Sequence, residues 1–324
     1  MVIVAKESGE EIRALKYSEY DFEVGDETND FEIKILLSEW EGLPETALIY
    51  IPGTEYGGIY KRTEIDTKQG YVSIGGLTWR GLLKSKIIEP PPGEDYAVDD
   101  GDINTIITNR VVSAFNNFID GAAPCGVTVD YRYNRYVTLY DGLQAMLKTV
   151  GHRLRVVYNN VLKRVIVDAV PIVDYSDKIE FSEDISAYYY INIDQTGVNH
   201  LVCLGSGQLK DRIVVNLYAD KNGRISQTQT FFGKDEIAQV YDYAGADRNQ
   251  LIQSGTQQLK SMQNLNQFSI DVEAHDIEIG DIVGGKDYIT GITLKAPVTG
   301  KIHKSSAGTV KTEYTISNNV EVTT

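Results

Sequence analysis

The stretch GLTWRGLLKSKIIEPPPGEDY, residues 76–96, closes one kind of sequence and opens another. With YVSIG before it, residues 71–89 carry Val72, Ile74, Leu77, Trp79, Leu82, Leu83, Ile87 and Ile88. Together with the bend expected at Gly75-Gly76, they read as strand sequence. Pro90-Pro91-Pro92 then stops the run, because proline lacks the N–H that a strand ladder needs and holds the chain extended. A domain boundary is therefore expected at Gly93.

Upstream of that boundary, Phe31, Ile33, Ile35 and Leu37 alternate with Glu32, Lys34 and Ser38, the pattern of a half-buried strand. Further strands are expected over 46–51 (TALIYI) and 58–66 (GIYKRTEID), each ended by glycine or proline. Short strands between such turns predict a small antiparallel barrel or sandwich over residues 1–93.

Downstream, the acidic loop GEDYAVDDGD leads to Asp102, a good N-cap, and to Ile103, Ile106, Ile107, Val111, Ala114, Phe115 and Phe118 at helical spacing. A helix over 103–119 follows. A second is expected from Asp141 to Val150, with Gly151 as its C-cap. RLRVVY and VLKRVIVDAV flank Asn159-Asn160, which reads as a two-residue hairpin turn. Residues 94–187 thus form an α/β unit. From 188 to 324 strands return: YYYINI, VNHLVCLG, DRIVVNLYAD with a turn at Asp220–Gly223, and GRISQTQTFF. One long helix interrupts them, capped by Asp247 and striped by Leu251, Ile252, Leu259, Met262 and Leu265. The fold class is mixed and mainly β: two similar small β-barrel domains plus an α/β domain. Strands distant in sequence could complete the barrels. YVSIGGLTWRGLLKSKII and NHLVCLGSGQLKDRIVVNLY echo each other as strand, glycine bend, Leu, Arg and second strand.

Composition excludes several functions. Thirty-one basic against 46 acidic residues give a formal charge of −15, which argues against a DNA-wrapping or basic membrane-surface protein. No run of apolar residues is long enough to span a bilayer, so no stable membrane insertion is expected. The two cysteines, Cys125 and Cys203, read as small buried hydrophobes. The apolar start is too short for a signal peptide. His152, His200, His275 and His303 are too far apart for a local metal pair. Glu94, Asp95, Asp99, Asp100 and Asp102 fail the EF-hand pattern, with Thr105 and Val111 where Gly and Glu are needed. Gly205-Ser206-Gly207 reads as a turn and no serine elbow, phosphate loop or dinucleotide turn occurs. No catalytic, metal or cofactor site is expected, although 46 carboxylates could place two in a hydrolytic cleft.

Three segments together resemble the baseplate-hub or tail-tip proteins of tailed phages and prophages of Gram-positive bacteria. They are residues 76–96, VNHLVCLGSGQLKDRIVVNLYADKNGRI, and IEIGDIVGGKDYITGITLKAPVTGKIHKSSAGTVKTEYTIS. Trp79, Arg80, Leu82, Leu83, Ile87, Ile88 and Pro90 are the most specific part; the Gly280-Asp281 pattern is looser. The resemblance implies a non-enzymatic homotrimeric ring in the virion, at the distal end of the tail. Two similar domains per chain would match the sixfold tail tube, and the internal echo would be the trace of that duplication. Implied partners are the distal tail protein or tube ring, the tape-measure end and peripheral receptor-binding or tip proteins. DNA would pass in transit only, repelled by an acidic lumen. Assembly would take place in the host cytoplasm.

Trp79, Arg80, Leu82 and Leu83 are the candidate inter-domain or subunit contact, with Arg80 pairing a carboxylate there or lying on a strand surface. Since the chain stops at Thr324, any lytic or receptor-binding module is expected on another polypeptide. The alternatives are a cell-wall polysaccharide or peptidoglycan hydrolase and a carbohydrate-binding adhesin that uses some of the 21 tyrosines.

Overall fold

Alternation in the Asp30–Leu36 strand becomes a sheet face, with Phe31, Ile33 and Ile35 buried and Lys34 and Leu36 exposed. The computed structural model describes residues 1–15, 18–176, 188–192, 196–220, 223–263, 267–271, 277–286, 293–306, 308–316 and 321–323. His275 and the middle of the expected Asp220–Gly223 turn lie outside them.

The chain is mainly β, and its largest sheet has ten strands. From one edge the order is Tyr188–Asn192, Gln267–Asp271, Thr309–Ile316, Thr293–Ser306, Glu19–Gly25, Asp30–Leu36, Tyr71–Leu77 and Arg62–Asp66. Ile282–Lys286 and Glu321–Thr323 also pair with Thr293–Ser306. Strands from both ends of the chain thus share one sheet, and among the described residues no sheet closes into a barrel.

A second, four-stranded sheet contains Val2–Ala5, Glu11–Leu15, Leu48–Tyr50 and Gly57–Ile59. Its Val2, Val4 and Ile49 pack on Phe22, Phe31, Ile33 and Ile74 of the large sheet. Ile3, Ala5, Leu48 and Tyr50, on the opposite face, join the core of the α/β segment. Covered on both faces, VIVA is buried at every position, so it has no polar alternation.

That segment carries helices α2 (Ile103–Phe115) and α3 (Leu139–Lys148) against the strands His152–Asn159 and Arg164–Pro171. Asp102 caps α2 by accepting from Asn104 and Thr105 N–H, and left-handed Asn116 ends it before Phe118. Helix α3 starts at Leu139, two residues before the expected Asp141, with Thr138 as its cap. The Asn159-Asn160 turn is longer than two residues. Asn159 pairs with Arg164, and its Oδ1 accepts from Val161 and Leu162 N–H, folding a four-residue loop with Lys163 at φ +54°. Further on, α4 (Arg248–Met262) has a complete capping box from Asp247 and Gln250. It packs on the sheet of Ile225–Ser226, Val214–Ala219, His200–Leu204 and Ala238–Asp242. Gly255 permits this approach, since a Cβ there would lie 2.6 Å from Cys203 Sγ.

Residues 71–89 are not one strand run. The strand ends at Leu77, Thr78 caps helix α1 (Trp79–Lys84), and only Ile87–Ile88 returns to a short strand. Thr78 Oγ1 accepts from Gly81 N–H, while Trp79 and Leu83, four apart, share the buried side. The internal echo therefore stops at the pairing level. His200–Leu204 and Val214–Ala219 form a hairpin, whereas Ile87–Ile88 pairs with Val137–Thr138. Cys203 is buried as expected, but Cys125 is exposed, in a loop whose N–H groups bond to Asp102 Oδ2.

Candidate functional site

Helix α1 stands where the N-terminal sheets, the α/β segment and the C-terminal strands meet. Trp79 is fully buried, 5.8 Å from the Tyr158 ring and 6.2 Å from the Phe118 ring, centroid to centroid. Leu83 lies in the same core, and half-buried Leu82 packs against it. Gly57 lets the indole in, because a Cβ there would stand 2.7 Å from Trp79 Nε1.

Arg80 is only 1% exposed. Its Nε donates to Glu55 Oε2 at 2.6 Å, and its guanidinium lies 5.9 Å from the Tyr140 ring centroid. Glu55 comes from the turn before Gly57–Ile59, 25 residues away. The other Glu55 oxygen pairs with Lys301 from the Thr293–Ser306 strand, and Lys301 Nζ also donates to Glu278 at 2.8 Å. Two cations and two carboxylates thus form a neutral node inside the protein. Lys301 additionally faces the Tyr56 ring at 5.4 Å.

Burial alone would push the Glu55 carboxyl up, but Arg80 and Lys301 outweigh it and hold the group well below the usual carboxylate range. Glu278 goes the other way, raised by burial and by the neighbouring Glu55 charge. A second buried pair lies beside the node: Arg153 Nε donates to Asp281 Oδ1 at 2.7 Å. Asp281 is fully buried and also accepts from Val173 and Glu278 N–H. Gly280, at φ +99°, makes room, since a Cβ there would meet Arg153 Cβ at 2.8 Å.

This arrangement joins distant parts of the chain. Each cation faces a carboxylate at hydrogen-bond distance. Among the described residues, no group of three or more His, Cys, Asp or Glu side chains is placed to hold a metal ion. Glu55, Lys301, Glu278 and the Arg153–Asp281 pair carry no sequence motif. Only Gly280-Asp281, in one of the segments quoted above, hinted at them. The acidic stretch has a structural use: Asp99 bonds both Arg110 and the Tyr133 hydroxyl, while Asp102 caps α2.

The fold is similar to that of two prophage tail proteins of known structure. The 43 kDa tail protein of prophage MuSo2 from Shewanella oneidensis superposes with a TM-score of 0.55 at 11% identity, covering 98% of this chain and 98% of that one. A prophage tail protein from Listeria monocytogenes superposes at 0.50 with 13% identity, covering 98% and 94%. No family model and no curated protein matches the sequence. The architecture is therefore shared between prophage proteins of Shewanella and Listeria, and the fold gives no ground for restricting it to Gram-positive hosts.

Proposed function

We propose that this chain is a structural baseplate hub of a phage or prophage tail, without catalysis. Three copies would form a ring at the distal end of the tail, adapting a sixfold tube to threefold tip components. The observation that carries this reading is the superposition of the whole fold, 98% of both chains, on a prophage tail protein. The described site agrees with it, since its charged groups are used up in joining chain segments.

Residues 1–93, 94–187 and 188–324 would be the three domains, the first and third contributing the similar units of the ring. Trp79, Arg80, Leu82 and Leu83 would then act at the domain contact, placing those units relative to each other. The ring would contact the distal tail protein or tube, the tape-measure end and peripheral receptor-binding proteins. DNA would cross an acidic lumen without binding, because the formal charge of −15 is tripled in the assembly. The chain would assemble in the host cytoplasm and remain in the virion.

Peptidoglycan turnover by the purified chain tests the absence of catalysis. The expected result is no release of wall fragments above a buffer control. Clear turnover that a single carboxylate substitution abolishes would contradict the proposal and favour a wall hydrolase.

A further inference from the structure

The motif singled out from the sequence is used up inside the chain: Trp79, Arg80 and Leu83 are buried, and Leu82 packs on the same core. Copies that meet must do so through other, exposed side chains. Each copy carries a formal charge of −15, so two copies repel unless the meeting surface holds cations that are not already neutralised.

The two-stranded ribbon of Val98–Asp102 and Thr128–Arg132 leads to such a surface. Alternation places Val98, Asp100, Asp130 and Arg132 on its outer face, and all four are exposed. Arg132, opposite Val98, holds its guanidinium 4.6 Å from the centroid of the exposed Tyr96 ring. Just past the strand, Arg135 repeats the arrangement 5.4 Å from the Tyr136 ring. Among the described residues neither guanidinium has a carboxylate at ion-pair distance, whereas Arg110 and Arg164 of the same α/β segment both do. A ring beside each guanidinium fixes its fork of donors before a partner arrives, which reduces the entropy lost on binding.

Tyr136 is the sharper sign. It holds the third position of the turn closed by Val137 N–H donating to the Asn134 carbonyl oxygen at 3.4 Å, and its φ is +56°. Glycine or asparagine is the usual occupant of a left-handed turn position, because a larger side chain is strained there. Tyr136 is 58% exposed, so burial in its own chain does not offset that strain. An aromatic ring held in a strained turn and left in water, with arginines beside it, has the composition of an interface anchor. One row along the same face, Asp100 stands opposite Asp130. A uniform polyanion such as nucleic acid would be repelled there, whereas a protein surface can set carboxylates against the arginines and a cation against the aspartates.

We propose that Tyr96, Val98, Arg132, Arg135 and Tyr136 form the face on which the next copy of this chain docks, with carboxylates of that copy on the two guanidinium groups and Tyr136 as the anchor. The contact is head-to-tail, as a threefold ring requires, and it rests on the ring proposed above.

Size exclusion with light scattering over a concentration series of the intact chain tests it. Arg132→Gln with Arg135→Gln, and separately Tyr136→Asn, should each raise the concentration at which half the trimer dissociates by at least about tenfold, with the circular dichroism spectrum unchanged. Asparagine accepts the left-handed turn, so the second variant keeps the fold while removing the ring. Arg224→Gln with Arg248→Gln removes the same charge from exposed arginines elsewhere and should leave the trimer as it was. A trimer that survives both the arginine and the tyrosine variants would overturn this face and leave the ring standing. Equal weakening by the Arg224 and Arg248 control would overturn it too, since charge alone would then be the cause. A monomer at every concentration in the unsubstituted chain would overturn the ring, and this contact with it.

Discussion

Glu55 holds two cations in place with one carboxylate, Arg80 on Oε2 and Lys301 on Oε1. Glu55→Gln would leave Arg80 without a counter-charge in the interior and Lys301 with Glu278 alone, which costs about 3–5 kcal/mol. The denaturant midpoint should fall accordingly. Glu278→Gln should cost clearly less, because Lys301 keeps Glu55 and the like charge beside it is removed. His303 supplies a pH dependence. Burial, with Lys301 nearby, lowers its pKa from 6.5 to about 4, so the folded protein holds the ring neutral between Tyr56 and Thr312. A depressed pKa contributes stability that is complete above 6.5 and is lost as the pH falls towards 4. Unfolding midpoints measured at pH 7 and pH 4.5 should therefore differ more for the unsubstituted chain than for His303→Gln.

At the level of elements, close backbone packing fixes the position of α1. Gly76 lies where a Cβ would stand 2.0 Å from the Ile59 carbonyl oxygen, and backbone cannot swing aside as a side chain does. Gly76→Ala should lower stability by about 3 kcal/mol, read as a shifted denaturant midpoint with an unchanged slope. Helices α2 and α4 were legible because several apolar residues recur at helical spacing behind an aspartate cap. Helix α1 was not. Six residues with Gly81 among them give too short a stripe, and flanking apolar residues look like strand. Thr78 followed by Trp79 and Leu83 was the signal available, a cap ahead of an i, i+4 pair. Arg80 could be singled out from its motif, but Glu55, Lys301 and Glu278 could not. They are brought to Arg80 by sheet pairing between distant parts of the chain, and no local pattern encodes that.

For the whole molecule, one seam brings the two ends of the chain into one sheet, and helix α1 together with the buried Arg153–Asp281 pair ties that sheet to the α/β segment. Such a body can serve as a rigid block in an assembly, with its buried charges holding its parts in fixed relation. The central claim is that three such blocks close into a ring. Light scattering after size exclusion, from low micromolar concentration upward, measures this directly on the purified chain. The account predicts a mass of about three times 36.1 kDa, independent of concentration above the assembly threshold. A strict monomer at every concentration would contradict it.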